Sequence, residues 1–167
     1  MQFIKKKYGL KFVSKTSYIS NKNKISTDFI ADDFCYVGPN CIIYPKVSIG
    51  KYTLIANNVS IIGDDHVYSN PTMPIYFSGR PKIKETILGE DVWIGANAII
   101  ITGIKIGNGA IIGAGSVVTK DIPAYSIYAG VPAKFVKMRF NESEISIHKQ
   151  MLKNKNLVWN YCEKIKF

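Results

Sequence analysis

Residues Leu88 to Pro123 read LGEDVWIGANAIIITGIKIGNGAIIGAGSVVTKDIP, a stretch that repeats itself every six residues. Leu88, Ile94, Ile100, Ile106, Ile112 and Val118 share one phase of the repeat. Four places after each stands a small or β-branched residue: Val92, Ala98, Ile104, Ala110, Ser116 and Ile122. An amphipathic helix needs apolar residues at period 3.6 and a half-buried strand at period 2, and six satisfies neither over this length. A fixed short repeat means stacked units, and a unit of six predicts a parallel β-helix, one short strand and one corner per unit. The aliphatics of the shared phase then point inward, coil over coil, each worth roughly 1.5–3 kcal/mol when fully buried. Corners call for residues tolerant of positive φ, and Gly95-Ala96-Asn97 and Gly107-Asn108-Gly109 supply them. Ile94 to Val118 is apolar enough to suggest a membrane span, but Lys105, the glycines and the strict period argue against one.

The same pattern is visible upstream. Val37, Ile43, Ile49, Ile55 and Ile61 are six apart, with Cys41, Val47, Thr53 and Val59 at the small positions. Ile30-Ala31 reads as an earlier unit shifted by one residue, and Pro39-Asn40, Pro45-Lys46 and Asn57-Asn58 as corners. Residues 1–28 show no repeat and are expected to form an atypical capping segment that closes the first coil. Ile61 and Leu88 are 27 apart, not a multiple of six, so about residues 62–87 must leave the stack as an extruded loop. A long insertion in a rigid solenoid usually carries function. Past Pro123 the rhythm ends. Asn141-Glu142-Ser143-Glu144 then reads as a capped helix start, with Ile145, His148, Met151 and Leu152 at helical spacing to about Lys155. The expected organisation is a capping segment (1–28), an all-β solenoid (29–140) and a C-terminal helix and tail (141–167), with Trp159, Tyr161 and Phe167 suggesting that the tail docks.

A chain of 167 residues, 47% of them hydrophobic, suffices for one domain with a core of its own. The formal charge of +10 comes almost wholly from Lys, with arginine only at Arg80 and Arg139. Such a balance suits nucleic acid, anionic membrane or a phosphorylated ligand, but Lys, Asn and Ile are all abundant, so only local clusters inform. Three cysteines (Cys35, Cys41, Cys162) form no metal-like spacing, and a reducing cytoplasm fits them. Met1 to Leu10 carries basic residues with no apolar run behind them, so a signal peptide is not expected. No Gly-x-Ser-x-Gly elbow or phosphate-binding loop is present. Of the two histidines, His148 on the expected helix reads as a surface or packing residue. His66 lies in the extruded loop behind Asp64 and Asp65, where the repeat breaks, and is the candidate base.

The two hexapeptide tracts, the loop histidine, Val92-Trp93-Ile94-Gly95, Val117-Val118-Thr119-Lys120-Asp121 and Gly130-Val131-Pro132-Ala133-Lys134 together resemble the left-handed β-helix acyltransferases. The resemblance covers about residues 29–140 and is closest to the xenobiotic and sugar O-acetyltransferase group. It implies a left-handed coil, acetyl-CoA as donor, no metal, and a homotrimer with sites between subunits. It assigns His66 as the base on the acceptor hydroxyl, with Ala96, Ala114, Thr119, Lys120, Lys134 and Lys137 contacting CoA. Small residues let pantetheine approach the backbone, and lysines meet phosphates as point charges. On the acceptor side stand Asp65, Tyr68, Tyr76 and Phe77, whose rings suit a sugar. Either Asp64 or Asp65 would orient His66, and Trp93 reads as packing at a coil edge. Two histidines are too few for the zinc site of the γ-class carbonic anhydrases, which share the solenoid. The loop lacks the fuller His-Arg-x-x-Asp pattern of antibiotic-acetylating members. The expected acceptor is therefore a sugar hydroxyl in cell-surface polysaccharide biosynthesis, without nucleic acid or a transmembrane segment. An antibiotic acetyltransferase and a non-catalytic hexapeptide scaffold are the alternatives.

Overall fold

The computed structural model describes residues 6–154. Two tracts of strands turn at regular intervals around one apolar core. The first runs β1 (Phe12–Val13), β2 (Tyr18–Ile19), β3 (Lys24–Ile25), β4 (Ile30–Ala31), β5 (Tyr36–Val37), β6 (Ile42–Ile43), β7 (Val47–Ile49), β8 (Leu54–Ile55) and β9 (Ser60–Ile62). The second runs β10 (Thr86–Leu88), β11 (Trp93–Ile94), β12 (Ile99–Ile101), β13 (Lys105–Ile106), β14 (Ile111–Ile112) and β15 (Val117–Val118). Every third strand pairs in parallel, giving three sheets in the orders β1-β4-β7-β10-β13, β2-β5-β8-β11-β14 and β3-β6-β9-β12-β15. Partners lie 18 residues apart, as in Ile43↔Ile61 and Ile94↔Ile112, so three six-residue units make one coil. This is the expected parallel β-helix.

The inward ladders follow the sequence phase. Leu88, Ile94, Ile100, Ile106, Ile112 and Val118 are all buried, as are the six residues four places on. Buried polar residues at the small positions are not orphaned, because each accepts a backbone N–H from the next coil. Asn23 Oδ1 takes Cys41 N–H at 2.7 Å, Ser17 Oγ takes Cys35 N–H at 2.8 Å, and Thr86 Oγ1 takes Gly103 N–H at 2.9 Å. At the corners the positive φ falls on Asn40, Lys46, Asn58, Asn97 and Gly109. Gly95 and Gly107 serve a different purpose. A Cβ on Gly95 would stand 2.5 Å from Ala114 N, and one on Gly107 2.4 Å from Ala124 N, so close stacking of the next coil excludes a side chain there.

The N-terminal segment differs from the expected cap. Strands β1 to β3 form a first coil, registered 18 residues from β4 to β6, so the solenoid begins near residue 12 rather than 29. Nor is the Ile30-Ala31 unit shifted. Ala31 is on phase and buried, while Ile30 points outward. Sizes are exchanged locally: large Phe29 occupies a small position and small Ala31 the aliphatic one, both buried. Core volume is kept while the regular alternation of large and small residues is lost.

Across the insertion the partner offset becomes 39 rather than 18 (Ile61↔Ile100), an excess of 21 residues that leaves the stack between β9 and β10. A short 3-10 turn, Ile75–Phe77, is the loop's regular element. After β15 the chain adds β16 (Ser126–Ala129), parallel to β14, and β17 (Lys134–Met138), antiparallel to β16. Helix α1 (Glu142–Lys153) has the expected capping box: Asn141 Oδ1 accepts Glu144 N–H at 2.9 Å and Asn141 N–H donates to Glu144 Oε2 at 2.8 Å. His148 pins this helix to the solenoid, its Nε2 lying 2.9 Å from Asp91 Oδ2, which also takes Arg139 Nη1 at 2.8 Å. That is the expected packing role. Trp159, Tyr161 and Phe167, expected to dock, lie outside the described residues. Among the described residues no helix is long and apolar enough to cross a membrane.

Candidate active site

The loop leaves β9 through Gly63 and Asp64, both at positive φ. Thr102 of the neighbouring coil anchors this exit, its hydroxyl donating to Gly63 O at 2.6 Å and its N–H to Ile62 O at 3.1 Å. Val67 N–H donates to Gly79 O at 3.0 Å and closes the neck of the loop. His66 stands between these two ties, so its backbone is fixed on both sides.

The two acidic residues before it separate in space. Asp65 Oδ1 lies 3.3 Å from His66 Nδ1, whereas Asp64 faces Lys84 at 3.9 Å. The His66 hydrogen bond, more than any other group, holds the Asp65 carboxyl below the usual carboxylate range, and the Arg80 charge adds to it. An imidazole whose Nδ1–H faces a carboxylate keeps the Nε2 lone pair free to accept a proton. The His66 side chain is about half exposed, so that lone pair is open to a ligand.

His66, Asp64, Asp65 and Tyr68 from the loop line a cleft of about 620 Å³ with Lys84, Ile75, Thr102, Thr119, Lys120 and Asp121. The fold thus brings His66, Asp65 and Tyr68 together with Thr119 and Lys120, over 50 residues away in sequence, because β9 and β15 flank β12 in one sheet. Ala96 and Ala114 do not line this cleft. They stack at the opposite corner of that sheet, where Gly115 N–H donates to Ala96 O at 2.8 Å. Lys134 opens β17 beside the same corner, since Ala133 N–H donates to Val117 O at 2.8 Å, and Lys137 is exposed further along β17. Tyr76 and Phe77 pack edge to face on each other, are largely exposed, and lie outside the cleft of the single chain. Trp93 points outward from β11 and is half exposed. Lys84, Thr102 and Asp121 were not foreseen as lining residues. Lys84 and Asp121 carried a sequence signal in their adjacency to the end of the interruption and to the Val-Thr-Lys stretch, whereas Thr102, inside the repeat, carried none.

A model of the bacterial transferase hexapeptide, six repeats long, matches residues 85–120. The chain is 36% identical over 147 residues to a chloramphenicol acetyltransferase of Klebsiella aerogenes, covering 78% of this chain and 68% of that one. The chain belongs to the hexapeptide-repeat acyltransferase family. Another relative is a Morganella morganii chloramphenicol acetyltransferase, 37% identical over 131 residues, which are 70% of this chain and 62% of that one. The chain therefore spans less than two thirds of that relative's length. The Escherichia coli protein WbbJ, with a proposed role as an O-acetyl transferase of lipopolysaccharide biosynthesis, is 36% identical over 106 residues (60% of this chain, 54% of that one). Among solved structures, a maltose O-acetyltransferase of Clostridium difficile is 28% identical with a TM-score of 0.66, over 76% of this chain and 68% of that one. The Bacillus cereus N-acyltransferase AntD, in a variant bound to dTDP and coenzyme A, is 26% identical with a TM-score of 0.55, over 92% and 97%. The membership agrees with the hexapeptide-repeat resemblance drawn from the sequence.

Proposed function

We propose that this hexapeptide-repeat protein transfers an acetyl group from acetyl-CoA to a saccharide hydroxyl in polysaccharide biosynthesis, with His66 as general base. The observation that carries the reading is the meeting of His66, oriented by Asp65, with Thr119 and Lys120 in one cleft. An alcohol attacking a thioester must lose its proton as the carbon–oxygen bond forms. His66 Nε2 takes that proton; the carbon–sulfur bond breaks, and the same nitrogen returns the proton to the departing thiolate. Donor and acceptor meet in one ternary complex, and no covalent acyl-enzyme is needed.

The residues suit coenzyme A as donor. Ala96 and Ala114 leave the coil corner bare for pantetheine, Lys134 and Lys137 on the neighbouring strand offer charge for its phosphates, and Thr119 and Lys120 offer donors at the thioester end beside His66. AntD, with its coenzyme A, and the maltose O-acetyltransferase support this donor and a sugar acceptor. The chloramphenicol acetyltransferases among the relatives favour a second reading, acetylation of an antibiotic hydroxyl by the same chemistry. Turnover of chloramphenicol set against that of methyl glycosides separates the two.

General-base assistance is typically worth about 10²–10⁴ in rate. His66→Ala is expected to lower kcat at least about a hundredfold while calorimetric coenzyme A affinity stays within about threefold. Wild-type kcat in that variant, with an acceptor that the wild-type protein acetylates, overturns the mechanism.

A further inference from the structure

Bordering the His66 cleft at Asp65 lies a second recess of about 340 Å³ lined by Tyr44, Pro45, Asp65, Arg80, Pro81 and Ile83. We infer that this recess seats the anionic part of the acceptor, a phosphate or carboxylate borne on the saccharide, with Arg80 as the residue that selects for it. The inference rests on the acetyl-transfer reading and names the acceptor's chemical class.

Asp65 is common to the recess and the His66 cleft, with Oδ1 toward His66 Nδ1 and Oδ2 3.5 Å from the Tyr44 hydroxyl. A molecule seated in the recess needs only to reach past one carboxylate to bring a hydroxyl to His66. Pro45, Pro81 and Ile83 form apolar walls fit for the face of a ring, and the Arg80 guanidinium is the donor for a ligand, since the Tyr44 hydroxyl donates to Asp65 Oδ2. Arg139, the chain's other arginine, is engaged by Asp91 at 2.8 Å, whereas Arg80 makes no ion pair among the described residues. A guanidinium binds carboxylate or phosphate through two parallel N–H donors, and a neutral acceptor leaves that capacity unused.

Arg80-Pro81-Lys82-Ile83-Lys84 alternates cations with apolar residues along the segment returning from the loop to the solenoid. Lys46 Nζ donates to Ile83 O at 3.1 Å and holds this segment beside the coil. Lys84 sits opposite Asp64 at 3.9 Å, and Arg80 is the cation that lines the recess itself, its charge acting also on the Asp65 carboxylate there. Clustered cations on a low-dielectric wall concentrate an anionic substrate there.

Three galactose derivatives sharing ring hydroxyls test the inference: neutral methyl β-galactoside, methyl β-galacturonide with a carboxylate, and UDP-galactose with a diphosphate. The wild-type protein is expected to show a KM at least about tenfold lower for one charged derivative than for the neutral one. Whichever derivative gains tells carboxylate from phosphate. Arg80→Gln is expected to abolish that preference and Arg80→Lys to retain part of it, with the KM for acetyl-CoA moving less than about twofold. Equal use of all three by the wild-type protein, or an equal rise in KM for all three in Arg80→Gln, overturns the inference. Calorimetry with UDP and with methyl β-galacturonide reads the recess without turnover. Binding lost in Arg80→Gln, from a protein that acetylates none of the three, keeps the anion site and removes support for acetyl transfer. Acetylation of the neutral galactoside alone, with no binding of either anion, keeps acetyl transfer and overturns the site.

Discussion

Cys35 and Cys41 occupy the small position of two successive units, and burial rather than chemistry defines them. Cys35 Sγ–H donates to Gly50 O at 3.1 Å and Cys41 Sγ–H to Ala56 O at 3.2 Å. Loss of solvation pushes both thiols up, Cys35 to about 11 from an ordinary 9.0. Because the folded value is the higher one, the Cys35 contribution to stability is complete below about pH 9 and disappears as pH rises toward about 11. The thiolate is the reactive species, so neither group is available at neutral pH. In a Cys162→Ser background, both thiols should stay silent toward a disulfide reagent at pH 8 until denaturant unfolds the protein. Rapid labelling of the folded protein at either position would show that these two units are not packed as described.

At the scale of the element, one coil is held to the next by backbone bonds and by the absence of a side chain where coils touch. Gly95 carries this most clearly. Its N–H donates to Ile112 O at 2.8 Å, and any Cβ there meets the backbone of Ala114 at 2.5 Å, which a flexible side chain cannot relieve. Gly95→Ala is therefore expected to destabilise by about 1–3 kcal/mol, the usual range for overpacking, as read by urea unfolding. Asn97→Gly, two residues on at positive φ, should cost far less, since glycine adopts that conformation freely. Similar midpoints for Gly95→Ala and wild type would mean that the coils are further apart than the register implies.

For the whole molecule, the loop exposes Tyr68, Met73, Ile75, Tyr76 and Phe77, and the outer face of the β2-β5-β8-β11 sheet exposes Tyr18, Tyr36, Leu54 and Trp93. So much apolar surface on one chain favours a partner, and closed cyclic symmetry covers equivalent patches on every copy. A homotrimer is the proposed assembly, with each loop lying against a neighbouring subunit and giving the His66 cleft its second wall. Sedimentation equilibrium is expected to return three chains per particle. A monomer that still turns over acetyl-CoA would exclude this arrangement.

The architecture from Val37 to Val118 is legible in the residue order alone, because a six-residue period allows one way of burying its aliphatics. So is the interruption, since a gap of 27 cannot be threaded through the stack, and so is the α1 cap at Asn141. The first coil is masked in the sequence although Val13, Ile19 and Ile25 are on phase, because Phe29 and Ala31 exchange sizes and hide the pattern. The left hand was legible through family resemblance alone; spacing is blind to chirality. Three features emerge from the folded chain alone: Asp65 rather than Asp64 faces His66, Thr119 and Lys120 share its cleft, and Arg80 borders a separate recess. The physical reason is the insertion. Inside the stack, position follows from counting by six, whereas residues 63–85 escape that count and take their places from particular bonds, Thr102 to Gly63, Val67 to Gly79 and Lys46 to Ile83.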